Sequence, residues 1–142
     1  MKIAIRYQSR GGNTKEVAEA IAKAAGITAE SIENPIVEYV DLLFIGGGVY
    51  KWGIDSSLIN YLGNLDPGLV KSVAAFTTAG GMDKTKTILS IVEGKGINAE
   101  KETLPIKMGI RNHAWLGGKG SIKLNEKQIH SINKFVKACL KS

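Results

Sequence analysis

A short polar turn at residues 7–14, with the sequence Tyr-Gln-Ser-Arg-Gly-Gly-Asn-Thr, constrains the fold of this chain more than any other feature. The turn follows an apolar segment around Ile3 and Ile5, and it precedes a pattern in which Val17 and Ile21 fall on one helical face. In such an arrangement the free backbone N–H groups of the first helical turn lie at the end of the strand. The sequence therefore predicts a strand–turn–helix unit near the N-terminus.

This predicted unit is suited to binding an anion such as a phosphate. The unpaired N–H groups and the positive end of the helix dipole both attract negative charge. Gly11 and Gly12 let the backbone approach a ligand closely. The side chains of Ser9, Asn13 and Thr14 can hydrogen-bond to phosphate oxygens. An ordinary turn capped by Asn13 or Thr14 is the alternative interpretation.

The rest of the chain alternates between strand-like and helical segments. The predicted strands cover about residues 2–7, 27–32, 40–45, 71–77 and 98–104, and the predicted helices cover about residues 13–25, 55–62, 83–93 and 125–140. This alternation predicts a parallel sheet with helices on both faces and right-handed crossovers. We therefore expect one α/β domain over residues 1–142, with three layers and a doubly wound five-stranded parallel sheet.

Glycine clusters follow three of the predicted strands. Besides the first turn, glycines occur at residues 46–48 and at residues 80–81, directly after the third and fourth strands. The carboxyl ends of parallel strands meet at one edge of a sheet, which is where open α/β sheets bind ligands. The sequence therefore predicts that three glycine turns surround a single site.

Composition narrows the class of protein further. The 142 residues are 44% apolar and 23% charged, which is typical of a soluble globular domain. No apolar run approaches the roughly 20 residues that cross a bilayer. The one cysteine, Cys139, cannot form an intramolecular disulfide, which favours a cytoplasmic location. The net charge of +6 comes from lysines spread along the chain, so we expect a basic surface rather than a nucleic-acid site.

No catalytic or metal-binding constellation stands out in the sequence. His113 and His130 have no nearby Cys, Asp or Glu at metal-ligand spacing, and we expect His130 to be solvated. Cys139 is expected to be a small core residue. Residues 106–124 have no clear pattern and are left unassigned, although long connections of this kind are often functional.

Taken together, the glycine-bearing segments resemble those of the flavodoxin family, which are FMN-binding electron carriers. The matching segments are residues 7–14, residues 41–50 (Asp-Leu-Leu-Phe-Ile-Gly-Gly-Gly-Val-Tyr) and residues 77–81 (Thr-Thr-Ala-Gly-Gly). The resemblance covers the whole chain in the order of its elements. It implies the family's strand order, 2-1-3-4-5, and FMN as the cofactor at the switch point between the first and third strands.

The resemblance also implies which residues bind the cofactor. They are Ser9, Arg10, Gly11, Gly12, Asn13 and Thr14 for the phosphate, Gly47, Gly48, Val49, Tyr50, Lys51, Trp52 and Gly53 for one side of the flavin ring, and Thr78, Ala79, Gly80, Gly81 and Met82 for the other. An aromatic ring of the second group is expected to stack on the isoalloxazine. The alternative is that Tyr50 and Trp52 are surface aromatics that close over the following helix.

Three features depart from the family pattern. Gly11 stands where the family usually has a hydroxyl residue, and Arg10 either compensates by its charge or faces solvent. The second flavin loop has no tyrosine or tryptophan, so Met82 or backbone would cover that face. The chain is basic whereas typical flavodoxins are acidic, which favours acidic partners. Asp55 and Asp83, which lie near the two flavin loops, would disfavour extra negative charge on the ring.

The function implied by the resemblance is electron transfer between redox partner proteins, with the oligomeric state left open. An FMN-dependent oxidoreductase of the quinone- or protoporphyrinogen-reductase type is a second hypothesis, favoured mildly by the basic charge and by residues 106–124. A flavin-free interaction domain is a third, motivated by Gly11 and the missing second aromatic. A phosphoacceptor receiver domain requires paired acidic residues after the first strand, where this chain has Gln8 and Ser9.

Overall fold

The computed structural model describes residues 1–108 and 124–141. Most of the unassigned segment 106–124, including His113, lies outside the described residues. The strands are β1 (Ile3–Gln8), β2 (Glu30–Ser31), β3 (Leu42–Tyr50), β4 (Gly53–Ile54), β5 (Ser72–Ala79), β6 (Asn98–Ala99) and β7 (Leu104–Lys107). The helices are α1 (Asn13–Ala25), α2 (Ser56–Gly63), α3 (Thr85–Gly94) and α4 (Glu126–Lys141).

The central sheet is parallel, with the order β2-β1-β3-β5 followed by β6 and β7, which both pair with β5. The fifth position of the sheet is therefore filled by two short strands, one along the beginning of β5 and one along its end. Strand β4 lies off this path and forms an antiparallel hairpin with β3. The predicted doubly wound α/β fold is confirmed.

Two predicted edge strands have different bounds in the structure. The segment predicted as a strand at residues 27–32 pairs with β1 over Glu30–Ser31 alone. The strand predicted to stop at Pro105 continues through it, and Pro105 lies opposite Thr77 of β5. An edge strand tolerates proline because its outer side needs no backbone N–H donor.

The core has two halves because alternate residues of each buried strand point to opposite faces of the sheet. One half contains Phe44 and Phe76 and packs against α1 and α4. The other contains Leu43 and Ile45 together with buried residues of α2 and α3. Each fully buried side chain of this kind contributes roughly 1.5–3 kcal/mol to folding. This packing on both faces holds the strand ends, and thus the loops after them, in fixed positions.

Helix α4 buries Ile132, Phe135, Val136 and Cys139, whereas Ile129 is exposed. The burial of Cys139 agrees with its expected place in the core. The Phe135 ring meets Phe44 edge to face, with a centroid distance of 5.6 Å. Among the described residues, no helix combines the length and apolar character needed to cross a membrane.

The glycine turn predicted at residues 46–48 is wrong. These glycines continue β3 and pair in parallel with β5, and the first two also pair with β1. A Cβ at Gly46 would collide with the backbone carbonyl and ring of Phe76, and one at Gly47 would lie 2.7 Å from a methyl group of Leu58. The glycines are therefore required by close packing inside the sheet and not by a turn after it.

Candidate functional site

The carboxyl ends of β1, β3 and β5 lie side by side at one edge of the sheet. Gln8, the last residue of β1, is opposite Gly47, and Gly47 is opposite Thr77. Three segments leave the sheet beyond this row: residues 9–12, the β3–β4 hairpin, and residues 80–84. The structure thus brings together the three segments in which the sequence placed the cofactor-binding residues.

The first of these segments presents backbone N–H groups to a single acceptor. Helix α1 begins after Gly12, whose backbone is left-handed with φ 98°. The Ser9 hydroxyl oxygen accepts a hydrogen bond from the Gly12 N–H at 3.0 Å and a longer one from the Lys15 N–H at 3.4 Å. N–H donors that converge at a helix start are the arrangement that binds a phosphate oxygen.

The two glycines of this turn have different roles. Gly12 has a positive φ, which glycine adopts without strain. Gly11 is not among the positive-φ residues, and a Cβ added to it would meet nothing within 4 Å. The hydroxyl residue that the family pattern leads one to expect would therefore fit at Gly11, so neither sterics nor backbone geometry explains its absence.

A buried hydrogen bond connects the phosphate segment to the end of β5. The hydroxyls of Thr14 and Thr78 are 2.7 Å apart, and both residues are buried. The Thr14 hydroxyl, predicted as a phosphate ligand, therefore contacts a residue predicted for the second side of the flavin ring. This bond fixes the distance between two parts of the site.

The β3–β4 hairpin carries the aromatic residues of the site. Tyr50 pairs with Gly53, so Lys51 and Trp52 form a two-residue loop, and their φ angles are 43° and 81°. Two-residue hairpin loops of this type need positive φ at both central positions, which is strained for residues other than glycine. Trp52 is 80% exposed at the hairpin tip, and Tyr50, the residue directly before the loop, is half-buried.

Arg10 contacts this hairpin. Its Nε and Nη2 atoms donate to Oδ2 of Asp55 at 2.9 and 2.8 Å, and its guanidinium carbon lies 4.0 Å from the centroid of the Tyr50 ring. The Arg10 backbone N–H also donates to the Tyr50 hydroxyl at 3.2 Å. Both predicted alternatives for Arg10, compensation for a missing phosphate ligand or exposure to solvent, omitted this ion pair. The sequence offered little signal for it, since the two partners are 45 positions apart.

Asp55 is held by α2 as well as by Arg10. It is the N-cap residue of α2, and its Oδ1 accepts hydrogen bonds from the backbone N–H and the hydroxyl of Ser57. These two bonds and the Arg10 guanidinium lower the pKa of Asp55 to about 2. Asp55 is therefore an ionised carboxylate whose charge is balanced locally, not a free negative charge beside the ring.

Sequence reasoning missed two buried polar atoms at the floor of the site. The side-chain oxygens Oε1 of Gln8 and Oγ1 of Thr77 are buried and have no hydrogen-bond partner within residues 1–108 and 124–141. Both belong to the row in which Gly47 lies between them. Buried polar atoms without partners are costly, so they indicate a place for a bound polar group or water. Their positions in the sequence could have identified them, because Gln8 directly follows the predicted first strand and Thr77 ends the predicted fourth strand.

The third segment is open. A Cβ added to Gly80 or Gly81 would meet nothing within 4 Å, and Met82 is 36% exposed. Asp83 accepts hydrogen bonds from the backbone N–H and hydroxyl of Thr85, the first residue of α3, although the N-cap residue of this helix is Lys84. Of the residues expected on the second side of the ring, Thr78 and Ala79 end β5, whereas Gly80, Gly81 and Met82 lie on an exposed loop without an aromatic side chain.

The structure gives no sign of a second chemical centre in the part that it describes. No group of His, Cys, Asp and Glu residues there could hold a metal ion. His130 is exposed on α4, as expected. Cys139 is buried, and burial raises the pKa of its thiol to about 12, so the thiol stays protonated and unreactive at neutral pH.

The fold and these three segments define a doubly wound α/β protein with a ligand site at the carboxyl edge of its sheet. A family profile described as "Flavodoxin domain" matches residues 4–109. The chain belongs to the flavodoxin family. This confirms the predicted family and its cofactor, FMN, and it supports FMN-dependent electron transfer as the general function.

Solved structures with the same fold cover nearly the whole chain. Flavodoxin 2 from Bacillus cereus is 17% identical, with a TM-score of 0.74 and 99% of each chain covered. A flavodoxin from the domain Archaea is 16% identical, with a TM-score of 0.78 and coverage of 99% of this chain and 98% of that one. Megasphaera elsdenii flavodoxin is 20% identical, with a TM-score of 0.67 and 99% coverage of both chains. No curated protein matched the sequence significantly.

Proposed function

We propose that the chain is an electron-transfer flavoprotein that binds FMN non-covalently at this edge and shuttles electrons between redox partner proteins. The observation that carries the proposal is the convergence of the Gly12 and Lys15 N–H groups on one acceptor at the start of α1, next to the hairpin that bears Tyr50 and Trp52. The converging N–H groups suit the phosphate of FMN, and the aromatic residues of the hairpin suit its ring.

The residues present fit FMN. Ser9, Gly12 and Asn13 would hold the phosphate, where the dipole of α1 stabilises its charge. Within residues 1–108 and 124–141, a Cβ added to Gly53 or Gly80 would meet nothing within 4 Å, so no neighbouring atom blocks the approach of a ring to these two residues. The unpartnered oxygens of Gln8 and Thr77, described above, add polar groups at the floor. Bound FMN supplies reversible uptake of one or two electrons, which no side chain of this protein can provide.

In this arrangement Trp52 and Tyr50 supply aromatic surface on one side of the flavin ring. An offset aromatic pair contributes roughly 0.5–1.5 kcal/mol beyond the burial of its area. The residues from Thr78 to Met82 supply the other side, with the Met82 side chain or the backbone in contact with the ring. The remaining residues proposed at the site are Arg10, Gly11, Thr14, Gly47, Gly48, Val49 and Lys51.

Binding of FMN is tested by titrating the purified protein with FMN and with riboflavin. We expect quenched flavin fluorescence, a shifted visible spectrum, and a Kd for FMN at least tenfold lower than that for riboflavin, since the phosphate site serves FMN alone. Failure of the folded protein to bind either flavin would contradict the proposal. That result would favour the third hypothesis, a flavin-free interaction domain.

The open third segment favours a second candidate function, an FMN-dependent oxidoreductase with its own small substrate. Because a Cβ added to Gly80 or Gly81 would meet nothing within 4 Å in the part of the chain that the structure describes, a quinone-sized molecule could approach that side. Steady-state reduction of a quinone by an organic reductant, with saturating FMN and no partner protein, separates the two functions. Rapid turnover would identify an oxidoreductase, whereas slow turnover that accelerates with a partner protein would identify a carrier.

A further inference from the structure

We propose that Arg10, although it belongs to the phosphate segment, is a positioning residue for the ring-binding hairpin rather than a phosphate ligand. The proposal rests on the proposed FMN function, because it assigns Arg10 to the binding of the flavin ring and not to the binding of the phosphate. It predicts that Arg10 affects binding of a flavin with no phosphate as strongly as it affects binding of FMN.

Within the part of the chain that the structure describes, the side-chain and backbone contacts of Arg10 across the site are directed at the hairpin and the residue that follows it. The guanidinium stacks on the Tyr50 ring, and two of its nitrogen atoms bind the same carboxylate oxygen of Asp55. The backbone N–H of Arg10 binds the Tyr50 hydroxyl. Arg10 therefore holds Tyr50, the last residue of β3 before the loop, and Asp55, which directly follows the end of β4.

Asp55 is a firm anchor for this contact. Its second oxygen, Oδ1, is bound by Ser57 in the first turn of α2, and its side chain is only 15% exposed. Helix α2 is itself fixed to the sheet through the fully buried Leu58 and Leu62. The ion pair consequently connects the hairpin to a rigid element of the fold.

The hairpin needs such support. Its two tip residues, Lys51 and Trp52, both have positive φ, so the turn is strained. A strained turn adopts alternative conformations more readily when no contact holds the hairpin in place. Trp52 makes its proposed contact with the ring from this tip. Loss of the Arg10 contacts would let the hairpin sample other positions and reduce the fraction of molecules competent to bind the ring.

Two variants distinguish positioning from phosphate binding. With Arg10→Ala we expect the Kd values for FMN and riboflavin to rise by the same factor, roughly three- to tenfold, the size expected for losing an exposed ion pair and a cation–π contact. With Asp55→Asn we expect both affinities to fall by a similar factor. If Arg10 were a phosphate ligand, Asp55→Asn would free it and tighten FMN binding instead.

Lys23→Ala is the matched control. It removes one exposed positive charge from α1 outside the segments of the site, so it measures the effect of losing a positive charge alone. Neither the FMN affinity nor the riboflavin affinity should change in this variant. Arg10→Lys keeps the charge but lacks the planar group with two donors, so most of the loss in riboflavin affinity should persist.

A readout without flavin keeps this proposal separate from the FMN function. Trp115→Phe leaves Trp52 as the chain's remaining tryptophan. In that background, Arg10→Ala should lower the fluorescence anisotropy of Trp52 in the flavin-free protein, whether or not flavin binds. Unchanged riboflavin affinity and unchanged anisotropy in a folded Arg10→Ala variant, or tighter FMN binding by Asp55→Asn, would overturn the proposal.

Discussion

At the scale of single residues, the glycines of this chain serve different physical purposes. Gly12 supplies a left-handed backbone at the start of α1, and Gly46 supplies the space that the Phe76 carbonyl and ring occupy. Gly11 and Gly80 meet neither requirement, since no positive φ or close neighbour constrains them. Substitution of Gly46 should therefore destabilise the protein, whereas substitution of Gly11 or Gly80 should not.

Gly46→Ala should destabilise the protein by about 3 kcal/mol or more, because an added methyl group overlaps the backbone of β5, which cannot move without breaking the sheet. Gly80→Ala is the control, and its free energy of unfolding should stay within about 0.5 kcal/mol of the parent. Urea unfolding followed by circular dichroism measures both. Equal stabilities for the two variants would show that the space at Gly46 is not limiting.

Gly11→Thr should improve the phosphate site. The new side chain has room, and its hydroxyl adds a hydrogen bond that contributes roughly 1 kcal/mol, or about fivefold in FMN affinity. Riboflavin affinity should stay constant, because riboflavin lacks the phosphate. A gain shared by both flavins would mean that the threonine acts elsewhere in the site.

Asp55 should show its lowered pKa in the pH dependence of stability. A carboxyl group with a folded-state pKa of about 2 stabilises the folded state fully above its unfolded pKa of roughly 3.9, and this contribution disappears as the pH falls through 2. The difference in unfolding free energy between the parent and Asp55→Asn should therefore be constant from pH 5 to 8 and shrink below about pH 4. A difference that persists at pH 2 would contradict the assignment.

At the scale of elements, the strained loop of the β3–β4 hairpin lowers the stability of the folded protein and places Trp52 at the proposed site. Glycine adopts the φ of 81° found at this position without strain, so Trp52→Gly should stabilise the flavin-free protein by about 1 kcal/mol. The same substitution should weaken binding of both flavins, because the proposed ring contact is lost.

The neighbouring position provides the control for this prediction. Lys51→Asn relieves the strain at the other tip residue, since asparagine tolerates positive φ, but it keeps the tryptophan. It should raise stability, and it should weaken flavin binding less than Trp52→Gly does. Thermal unfolding of the two variants measures the effect of backbone strain on stability, and flavin titration measures the effect of losing the tryptophan. Normal flavin binding by Trp52→Gly would show that Trp52 does not contact the flavin.

At the scale of the whole molecule, charge is the feature that bears on partners. The net charge is +6, and beyond the Arg10–Asp55 pair the site segments and the first turns of α1 and α3 carry Lys15, Lys51, Lys84 and Lys86 against Glu16 and Asp83. We propose that the redox partners are acidic proteins, which such a surface attracts over distances of about 10 Å at moderate salt.

Electron exchange with an acidic partner should therefore slow as ionic strength rises. Raising the salt concentration from 0.01 to 0.3 M should lower the bimolecular rate constant by at least tenfold, because screening removes the long-range attraction. Stopped-flow spectroscopy of the reduced flavoprotein measures this rate constant. Lys51→Glu should lower the rate at low salt and flatten its salt dependence. A rate that increases with salt would indicate a basic partner.

The sequence by itself determined the layers of this protein and the edge of the sheet at which its three loops lie. The apolar strands 40–45 and 71–77, the amphipathic helices between strands, and the polar turn at residues 7–14 are local patterns, and local patterns specify which elements form and which ends meet. The loops that carry Ser9, Trp52 and Met82 were predicted correctly at one edge for this reason.

Only the tertiary structure decided how the strand ends are used. Whether Gly46 to Gly48 form a turn or a strand depends on Phe76 and Leu58 of distant segments, whose close approach cannot be deduced from glycine content. The pairing of Arg10 with Asp55 and the orphaned oxygens of Gln8 and Thr77 likewise arise from contacts between residues far apart in the chain. Contacts between distant residues exist only once the sheet has formed, because the sheet brings those residues within reach.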